Sequence, residues 1–252
     1  MSMFIRYMRA DVIKLRRQSL PWIHLAIPFI GIVLFLSYYA FTPYSDASKI
    51  DGYLQAVAIA LPAIIGIVCA IAAEQEYNAG GFQHLLTSPV KVFPFLSKLS
   101  LLLVFGLASI LTAAVGFGVG NVFILQNEMQ DISFYILAGL ILFGSSIFLY
   151  VFHFIVSLRW GRGASMGLGI AGSLVSALLL TGLGDANWVY VPFAWPSRLI
   201  TLWSRFAGEA ASSVRAHSML GMGIACLAAG TLLMIAISVA WVWRWEGKHA
   251  LE

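Results

Sequence analysis

The sequence predicts an all-α integral membrane protein with six transmembrane helices in a single domain. Hydrophobic residues make up 60% of the 252 positions and charged residues 10%, and nearly all of the hydrophobic residues fall in six segments. About 20 helical residues cross a hydrocarbon core of roughly 30 Å, and a helix pairs all of its backbone polar groups where water is absent. The predicted spans are residues 21–41, 54–73, 99–120, 132–158, 164–182 and 219–243.

Basic residues are distributed unevenly over the connections. Eleven of the 15 Lys and Arg lie in the N-terminal segment, the second and fourth connections and the C-terminal segment. Basic flanks stay on the cytoplasmic side of a membrane, so both termini are predicted to be cytoplasmic. The net charge of +4 is therefore a topology signal rather than a sign of nucleic-acid binding. The opposite side carries six acids, namely Asp46, Asp51, Glu128, Asp131, Asp185 and Glu209.

Residues 1–19 have the pattern of a basic amphipathic helix. On a helical wheel the apolar residues gather in one arc, and the Arg and Lys residues fall outside it. Such a helix is predicted to lie at the cytoplasmic interface with its apolar face in the lipid. A simple topology anchor is the alternative, and periodicity does not separate the two. The apolar arc includes Phe4, Ile5, Met8, Val12 and Leu15.

The connection at residues 74–98 is longer and more patterned than a simple turn. Gly80 and Gly81 give the backbone freedom to leave one helix, and Pro89 and Pro94 are predicted to interrupt the path into the next. Residues 81–88 are predicted to form a short helix whose apolar face needs lipid or another protein as its partner. That face consists of Phe82, Leu85 and Leu86.

Two acids stand where the second span meets this connection. Glu74 and Glu76 are two residues apart, so they point in different directions and do not form an acid and base pair. One of them could pair with Lys98 or Arg159, although solvated charges at a helix end are the usual state of such acids.

The connection at residues 183–218 is rich in aromatic residues. Ser197 is predicted to cap a short helix at residues 198–207. We expect helical hairpin pieces that dip into the outer leaflet, with an ordinary aromatic belt as the alternative. The aromatic residues that could form a substrate surface or an external gate are Trp188, Tyr190, Trp195, Trp203 and Phe206.

No motif for catalysis or for a bound cofactor occurs in the sequence. A phosphate-binding loop, a zinc-binding H-E-x-x-H and a G-x-S-x-G elbow are all missing. The two cysteines, Cys69 and Cys226, both lie in spans and indicate neither a disulfide nor a metal site. We therefore expect no catalytic residues, no metal and no cofactor on this chain. If the chain moves a substrate, a partner supplies the energy.

Taken together, these segments resemble the permease subunits of ABC-2-type ABC transporters, and within them the permeases of lantibiotic immunity transporters. The resemblance covers the whole chain and includes an interfacial elbow helix at residues 1–19, six spans and a long external loop before the last span. It also includes E-x-x-x-G, a short helix and L-L-T-S-P between Glu76 and Pro89.

This resemblance implies a bacterial cytoplasmic membrane protein that works with separate ABC ATPase subunits, which bind ATP and Mg²⁺. A second permease chain, identical or paralogous, is implied as well, and residues 81–88 would be the coupling helix that docks on the ATPase. The implied substrate is an amphipathic cationic peptide that is expelled outward for self-protection, and the external acids and aromatic loop would suit it. The residues implied in coupling are Glu74, Glu76, Gly80, Gly81, Phe82, Gln83, His84, Leu85 and Leu86.

Two alternatives remain open at this point. The same architecture could export another cargo, such as a peptide toxin, a bacitracin-like antibiotic or a lipid-linked molecule. The chain could instead be a membrane scaffold or sensor that transports nothing and acts through its cytoplasmic loop.

Overall fold

The computed structural model describes residues 3–15, 18–126, 130–207 and 214–247. Every regular element within these ranges is a helix, and six helices are long and apolar enough to cross a membrane. The predicted fold class is therefore confirmed. These six helices are α2 (Leu20–Ala40), α3 (Asp46–Asn78), α5 (Val92–Phe123), α6 (Ile132–Trp160), α7 (Arg162–Leu180) and α9 (Val214–Arg244).

Three further α-helices and three 3₁₀ turns lie outside the six long helices. α1 (Met3–Leu15) precedes α2, α4 (Gln83–Leu86) lies between α3 and α5, and α8 (Trp195–Ala207) precedes α9. We call the end of the bundle that carries α1 and α4 the proximal end. The distal end carries the α2–α3 and α5–α6 connections. The 3₁₀ turns, Gly182–Gly184, Trp188–Tyr190 and Pro192–Ala194, connect α7 to α8.

The core of the bundle forms around α3, which packs mainly on α7 and α6, while α5 packs on α6 and α2. α3 and α7 lie close together at Gly66 and Gly169, where a Cβ atom on Gly169 would lie 2.7 Å from the Pro62 carbonyl oxygen. Stacked rings join the other helices of the core, such as Tyr53 on Phe117 with centroids 3.9 Å apart. Of the six long helices, α9 buries the smallest share of its hydrophobic window.

Two of the long helices continue well beyond their apolar segments at the proximal end. α3 runs to Asn78, and α5 begins at Val92 rather than near Leu99. Pro94 was predicted to interrupt the path into the next span, and this prediction is wrong. Pro94 is the third residue of α5, and the first turn of a helix needs no backbone donor at that position. The ends of α3 and α5 therefore remain helical beyond the predicted spans and bring Glu76 beside Lys98.

Candidate functional site

Four charged side chains meet at the proximal end and form what we call the charge cluster. α1 contributes Asp11 and Lys14, α3 contributes Glu76, and α5 contributes Lys98. Lys98 Nζ lies 2.7 Å from Glu76 Oε1 and 3.9 Å from Asp11 Oδ1. Lys14 Nζ lies 3.6 Å from Glu76 Oε1 and 3.8 Å from Asp11 Oδ1. Two cations thus face two anions, and the cluster is balanced in charge.

The charge cluster is buried, although all of its members are ionisable. Lys98 is 2% exposed, and Asp11 and Glu76 are also buried, while Lys14 closes the cluster from its more exposed edge. Ser97 on α5 adds a hydrogen bond, because its hydroxyl donates to Asp11 Oδ2 at 2.5 Å. Buried charges are tolerated where opposite charges and hydrogen bonds compensate them. The cluster therefore joins α1, α3 and α5 at one point.

Burial of Glu76 differs from the solvated state expected for an acid at a helix end. The possible partner Lys98 is the one observed for Glu76, because the extension of α5 brings Lys98 beside α3. Glu74 follows the expectation more closely and forms an exposed pair with Arg162, with Arg162 Nη1 3.2 Å from Glu74 Oε2. The two acids, two residues apart, therefore lie in different environments.

Backbone geometry brings the segment after α3 back toward the bundle. Gly80, Gly81 and Phe82 have φ angles of 139°, 61° and 67°. Positive φ is easy for glycine, whereas a residue with a Cβ pays a steric cost there. Phe82 adopts it with its side chain buried, and its ring lies 5.4 Å from Tyr77 and 5.2 Å from Trp245 between centroids. Packing of the Phe82 ring therefore offsets the steric cost of the positive φ at this residue.

The apolar face of α4 packs against the bundle, so the partner predicted for this face was wrong. Phe82 and Leu85 are each 2% exposed, and Leu86 is half-buried. Lipid or another protein was expected to cover this face, but the chain itself covers it, because the turn at Gly80 and Gly81 directs α4 back onto the bundle. The exposed side chains of this segment are polar, namely Gln83, His84 and Thr87.

The inward face of α1 is polar. Tyr7 Oη lies 2.7 Å from Ser88 Oγ, and its ring meets the His84 ring edge-on at 5.4 Å. Tyr7, Asp11 and Lys14 stand four and three residues apart, which places them on one side of the helix. This polar side joins α1 to α4 and to the charge cluster.

The predicted apolar face of α1 lies on other sides of the helix. Phe4 and Met8 are half-buried, and Ile5 and Val12 are exposed. The side chain of Leu15 lies outside the described residues. α1 therefore presents apolar residues away from the protein, the arrangement expected of a helix at a membrane interface.

Residues after α9 also reach the α4 segment. Lys91 Nζ donates a hydrogen bond to the Trp245 carbonyl oxygen at 2.8 Å. The indole of Trp245 is buried between Phe82 and Trp241, with the Trp241 centroid 5.1 Å away. We call the charge cluster, residues 76–91 and Trp245 together the proximal junction. It connects α1, α3, α5 and the end of α9.

Residues 182–207 form a second packed unit, which we call the distal cap. Trp188 and Trp195 are buried, and Trp195 Nε1 donates to the Val189 carbonyl oxygen at 2.9 Å. Both indoles lie over glycines of α9, because a Cβ atom on Gly223 would collide with Trp188 and one on Gly230 would lie 2.7 Å from Trp195. Glycine at these two positions lets the cap pack against the α9 backbone.

The distal cap extends far along α6. Trp203 packs on Phe134 near the start of α6 with centroids 4.7 Å apart, and Phe193 packs on Phe152 at 6.0 Å. Trp203 is half-buried and Tyr190 is 70% exposed, while the side chain of Phe206 lies outside the described residues. Trp188 and Trp195 are thus structural anchors of the cap, and Tyr190 is the predicted aromatic residue with a largely free ring.

The start of the cap helix differs from the prediction. α8 begins at Trp195, so Ser197 lies inside the helix and does not cap it. Its hydroxyl instead lies 2.9 Å from Ser176 Oγ of α7 and 3.1 Å from the Ala194 carbonyl oxygen. Pro196 falls in the first turn of α8, where a helix needs no backbone donor, and Trp195 at its start packs on Phe148 of α6.

Arg198 holds the end of α7 against the cap. Its guanidinium donates to the carbonyl oxygens of Leu179 and Thr181, each at 2.5 Å, and to Asp185 Oδ1 at 2.8 Å. The last carbonyls of a helix have no partner within it, so a cation there satisfies them.

The acids of the distal end are largely committed to local contacts. Asp185 pairs with Arg198, Asp131 Oδ1 accepts from the Ser133 backbone at the start of α6, and Asp46 Oδ1 lies 4.0 Å from Lys49 Nζ. Asp51 is half-buried in α3. Glu128 and Glu209 lie outside the described residues. These contacts reduce the acidic surface that was expected to suit a cationic peptide.

An apolar groove runs along the junction of the distal cap, α6 and α9. Its volume is about 440 Å³, and its walls are apolar and aromatic. Its walls include Phe148, Tyr190, Trp195, Leu233 and Ile237.

Several contacts of the proximal junction were not predicted from the sequence, above all those of Asp11, Ser97, Lys91 and Trp245. A signal for Asp11 exists, because it is the single acid among residues 1–19 and stands on the side of α1 that carries Tyr7. Nothing in the local sequence indicates the role of Trp245, because its partners outside the end of α9, Lys91 and Phe82, lie more than 150 residues away.

A family model described as ABC-2 family transporter protein matches residues 8–177 of the chain, about two thirds of its length. The matched range contains α3 and α5 and the charge cluster, and it ends before the distal cap. Comparison with curated proteins found no match, and neither did comparison with solved structures.

Proposed function

Because the chain belongs to the ABC-2 family of transporter proteins, we propose that it is the permease of an ATP-driven exporter that expels an amphipathic antimicrobial peptide, such as a lantibiotic. Members of this family are the membrane components of ABC transporters and work with an ABC ATPase. The chain is therefore a multi-pass membrane subunit and is not itself catalytic. In our proposal it lies in a bacterial cytoplasmic membrane, pairs with a second permease chain, and protects the cell from the peptide.

The proximal end faces the cytoplasm in this proposal. Support comes from its basic residues, since Arg6 and Arg9 of α1, Lys91, and Arg159 at the end of α6 all belong to this end. Retention of Lys and Arg on the cytoplasmic side favours this orientation. ATP and Mg²⁺ would then bind to the partner ATPase beneath the proximal junction.

The buried charge cluster is the observation that carries the coupling mechanism. In our proposal the ATPase contacts the exposed polar side of α4, at Gln83, His84 and Thr87. Movement of that segment passes through Glu76 and Lys98 to α1 and α5. ATP shifts the permease between two arrangements only if the partner binds one arrangement better than the other. In this proposal the ion pairs that join α1, α3 and α5 transmit the partner's preference for one arrangement to the membrane-spanning helices.

A single charge on the exposed side of α4 tests the coupling surface. Gln83→Lys places a cation where the ATPase is proposed to dock and leaves the buried face of α4 unchanged. We expect it to reduce copurification of a coexpressed candidate ATPase several-fold, because an unpaired charge at an interface is costly. Ala47→Lys is the matched control, since Ala47 is exposed in the first turn of α3 at the distal end. Equal recovery of the ATPase with both variants would contradict the docking surface.

The apolar groove beside α9 supports an amphipathic cargo. Its volume of about 440 Å³ and its apolar walls suit hydrophobic side chains of a membrane-bound peptide. Tyr190 contributes an exposed aromatic ring to this groove. Trp195 cannot be substituted to test the cargo alone, because its indole also anchors the distal cap.

Filling the groove tests the cargo site. Leu233→Trp adds bulk to its wall, whereas Leu232→Trp adds the same bulk at a neighbouring exposed position that does not line the groove. In a susceptible bacterium that expresses the permease with its ATPase, we expect the first variant to lower peptide resistance and the second to preserve it. The assay compares a cationic peptide, a bacitracin-like antibiotic and a lipid-linked molecule. Resistance confined to one of the last two would assign the transporter to that cargo instead.

A further inference from the structure

The buried residues of helix α9 lie near its two ends. Among its described residues they are Gly223 toward the distal end, and Ser238 and Val242 toward the proximal end. Residues 224–237 between them are exposed or half-buried. Gly223 and Val242 are about 28 Å apart at 1.5 Å of rise per residue. One helix therefore connects two buried contacts that lie far apart.

The proximal end of α9 is attached to residues 82–91, which we call the coupling segment. Trp245, the first residue after α9, accepts a hydrogen bond at its carbonyl oxygen from Lys91 Nζ at 2.8 Å. Its buried indole packs on the Phe82 ring with centroids 5.2 Å apart. Phe82 and Lys91 are the first and last residues of the coupling segment. The end of α9 is therefore fixed to both ends of the segment that is proposed to contact the ATPase.

The distal half of α9 is held in register by two glycines. Gly223 and Gly230 stand seven residues apart, which is about two turns and places them on one face of the helix. The indoles of Trp188 and Trp195 lie over these two glycines. Leu227, about one turn from each glycine, packs against the core of the distal cap. A shift of α9 along its axis therefore moves a larger side chain toward an indole, so the helix and the cap must separate.

The groove beside α9 depends on the same register. The distal cap contributes Val189 and Tyr190 to its walls, and α9 contributes Leu233 and Ile237. A change in the position of α9 against the cap therefore changes the width of the groove. α9 is a continuous helix without proline, the residue that most often causes a sharp kink. A displacement of its proximal end is therefore carried to its distal half.

We propose that α9 is a mechanical link between the coupling segment and the distal cap, and that its register against Trp188 and Trp195 changes when the coupling segment moves. Packed interfaces change between discrete arrangements instead of deforming continuously, so a small shift at one end produces a defined change at the other. Movement of the segment by an ATPase and use of the groove by a cargo rest on the proposed function. The link between the two ends of α9 does not.

A double-mutant cycle on the purified permease tests the link without an ATPase or a cargo. Gly223→Ala places a methyl group against the Trp188 indole, and Trp245→Ala removes the ring that fixes the proximal end. Substitutions more than about 10 Å apart normally have additive effects. If α9 is a link, releasing Trp245 lets the helix shift and relieve the collision. The loss of melting temperature caused by Gly223→Ala should then be at least about twofold smaller in the Trp245→Ala background.

Two controls separate the link from a general loss of stability. Lys14→Met weakens the charge cluster, whose members lie on α1, α3 and α5, so the loss caused by Gly223→Ala should be unchanged in that background. Gly221→Ala adds a methyl group to α9 where nothing lies within 4 Å, so it should show no coupling to Trp245→Ala. If Trp245→Ala fails to accumulate, Lys91→Met removes the hydrogen bond to the Trp245 carbonyl oxygen and loosens the same end.

Three results would overturn the proposal. Additive losses for Gly223→Ala and Trp245→Ala would show that the two ends of α9 act independently. A larger loss from Gly223→Ala in the Trp245→Ala background would show that α9 does not shift to relieve the collision. An equal reduction in the Lys14→Met background would assign the effect to general destabilisation. The copurification and resistance assays do not depend on this cycle, so failure of the link is distinguishable from failure of the proposed function.

Discussion

At the proximal end a short helix is attached to the bundle through charged and polar groups, whereas at the distal end a longer segment is attached mainly through aromatic rings. α1 is joined to α3 and α5 by the buried charge cluster. The distal cap is joined to α6 and α9 by Trp188, Trp195 and Phe193. The two ends thus use different chemistry for the same structural task.

This difference matters for the mechanical properties of the two ends. Hydrophobic burial of rings is nondirectional, while ion pairs in a buried site depend on a particular arrangement of several charges. A moving partner at the proximal end would therefore act on helices whose relative positions are sharply defined. The comparison predicts that one substitution in the charge cluster has a larger effect than one added methyl in the distal cap.

The largest effect is expected from breaking the charge cluster at its centre. Lys98→Met removes the buried cation and leaves Glu76 and Asp11 with Lys14 alone, so the cluster keeps one uncompensated negative charge, which should lower the free energy of unfolding by about 3–5 kcal/mol. Thermal unfolding in detergent, followed by size-exclusion fluorescence, measures the loss. Lys14→Met is the control, because the Lys14 side chain is 33% exposed and both acids keep Lys98. Equal losses in the two variants would contradict the central role of Lys98.

An intermediate effect is expected from overpacking the distal cap. Gly223→Ala places a methyl group against the Trp188 indole, which should lower the free energy of unfolding by about 1–3 kcal/mol. Gly221→Ala adds the same methyl group to α9 where nothing lies within 4 Å. The same unfolding assay compares them. Indistinguishable melting temperatures would show that Trp188 does not anchor the cap.

The smallest effect is expected from an exposed ion pair at the proximal end itself. Glu74→Gln breaks the pair with Arg162, whose side chains are 40% and 58% exposed, and should lower the free energy of unfolding by less than about 1 kcal/mol. High salt should remove this small difference, because ions screen exposed charges. Glu76→Gln, two residues away, makes the same chemical change in the buried cluster and should cost several times more. A reversed order would show that burial does not set the strength of these pairs.

Much of the fold could be predicted because its signals are local. The apolar segments predicted all six long helices, since the length and hydrophobicity of a span are properties of consecutive residues. The turn at Gly80 and Gly81 also has a local cause, the freedom of glycine to adopt positive φ. The direction in which that turn sends α4 has no local cause, so the partner of Phe82 and Leu85 was predicted incorrectly.

The candidate site was predicted less completely than the fold. Glu76 was identified and Lys98 was considered as a partner, but Asp11 and Ser97 were not. These residues acquire their role only when α1 folds back against α3 and α5. The same holds for Trp188 and Trp195, which the aromatic pattern placed in the external loop but which pack against glycines of a distant helix.

The sequence by itself determined that this chain forms six membrane-spanning helices with a basic amphipathic helix before them, because hydrophobicity and periodicity act over a few neighbouring residues. The tertiary structure alone decided which charges are buried together, which face of α4 is covered and which rings fill the spaces over Gly223 and Gly230. Those outcomes depend on residues far apart in the chain meeting at distances of a few ångströms, which local patterns do not encode.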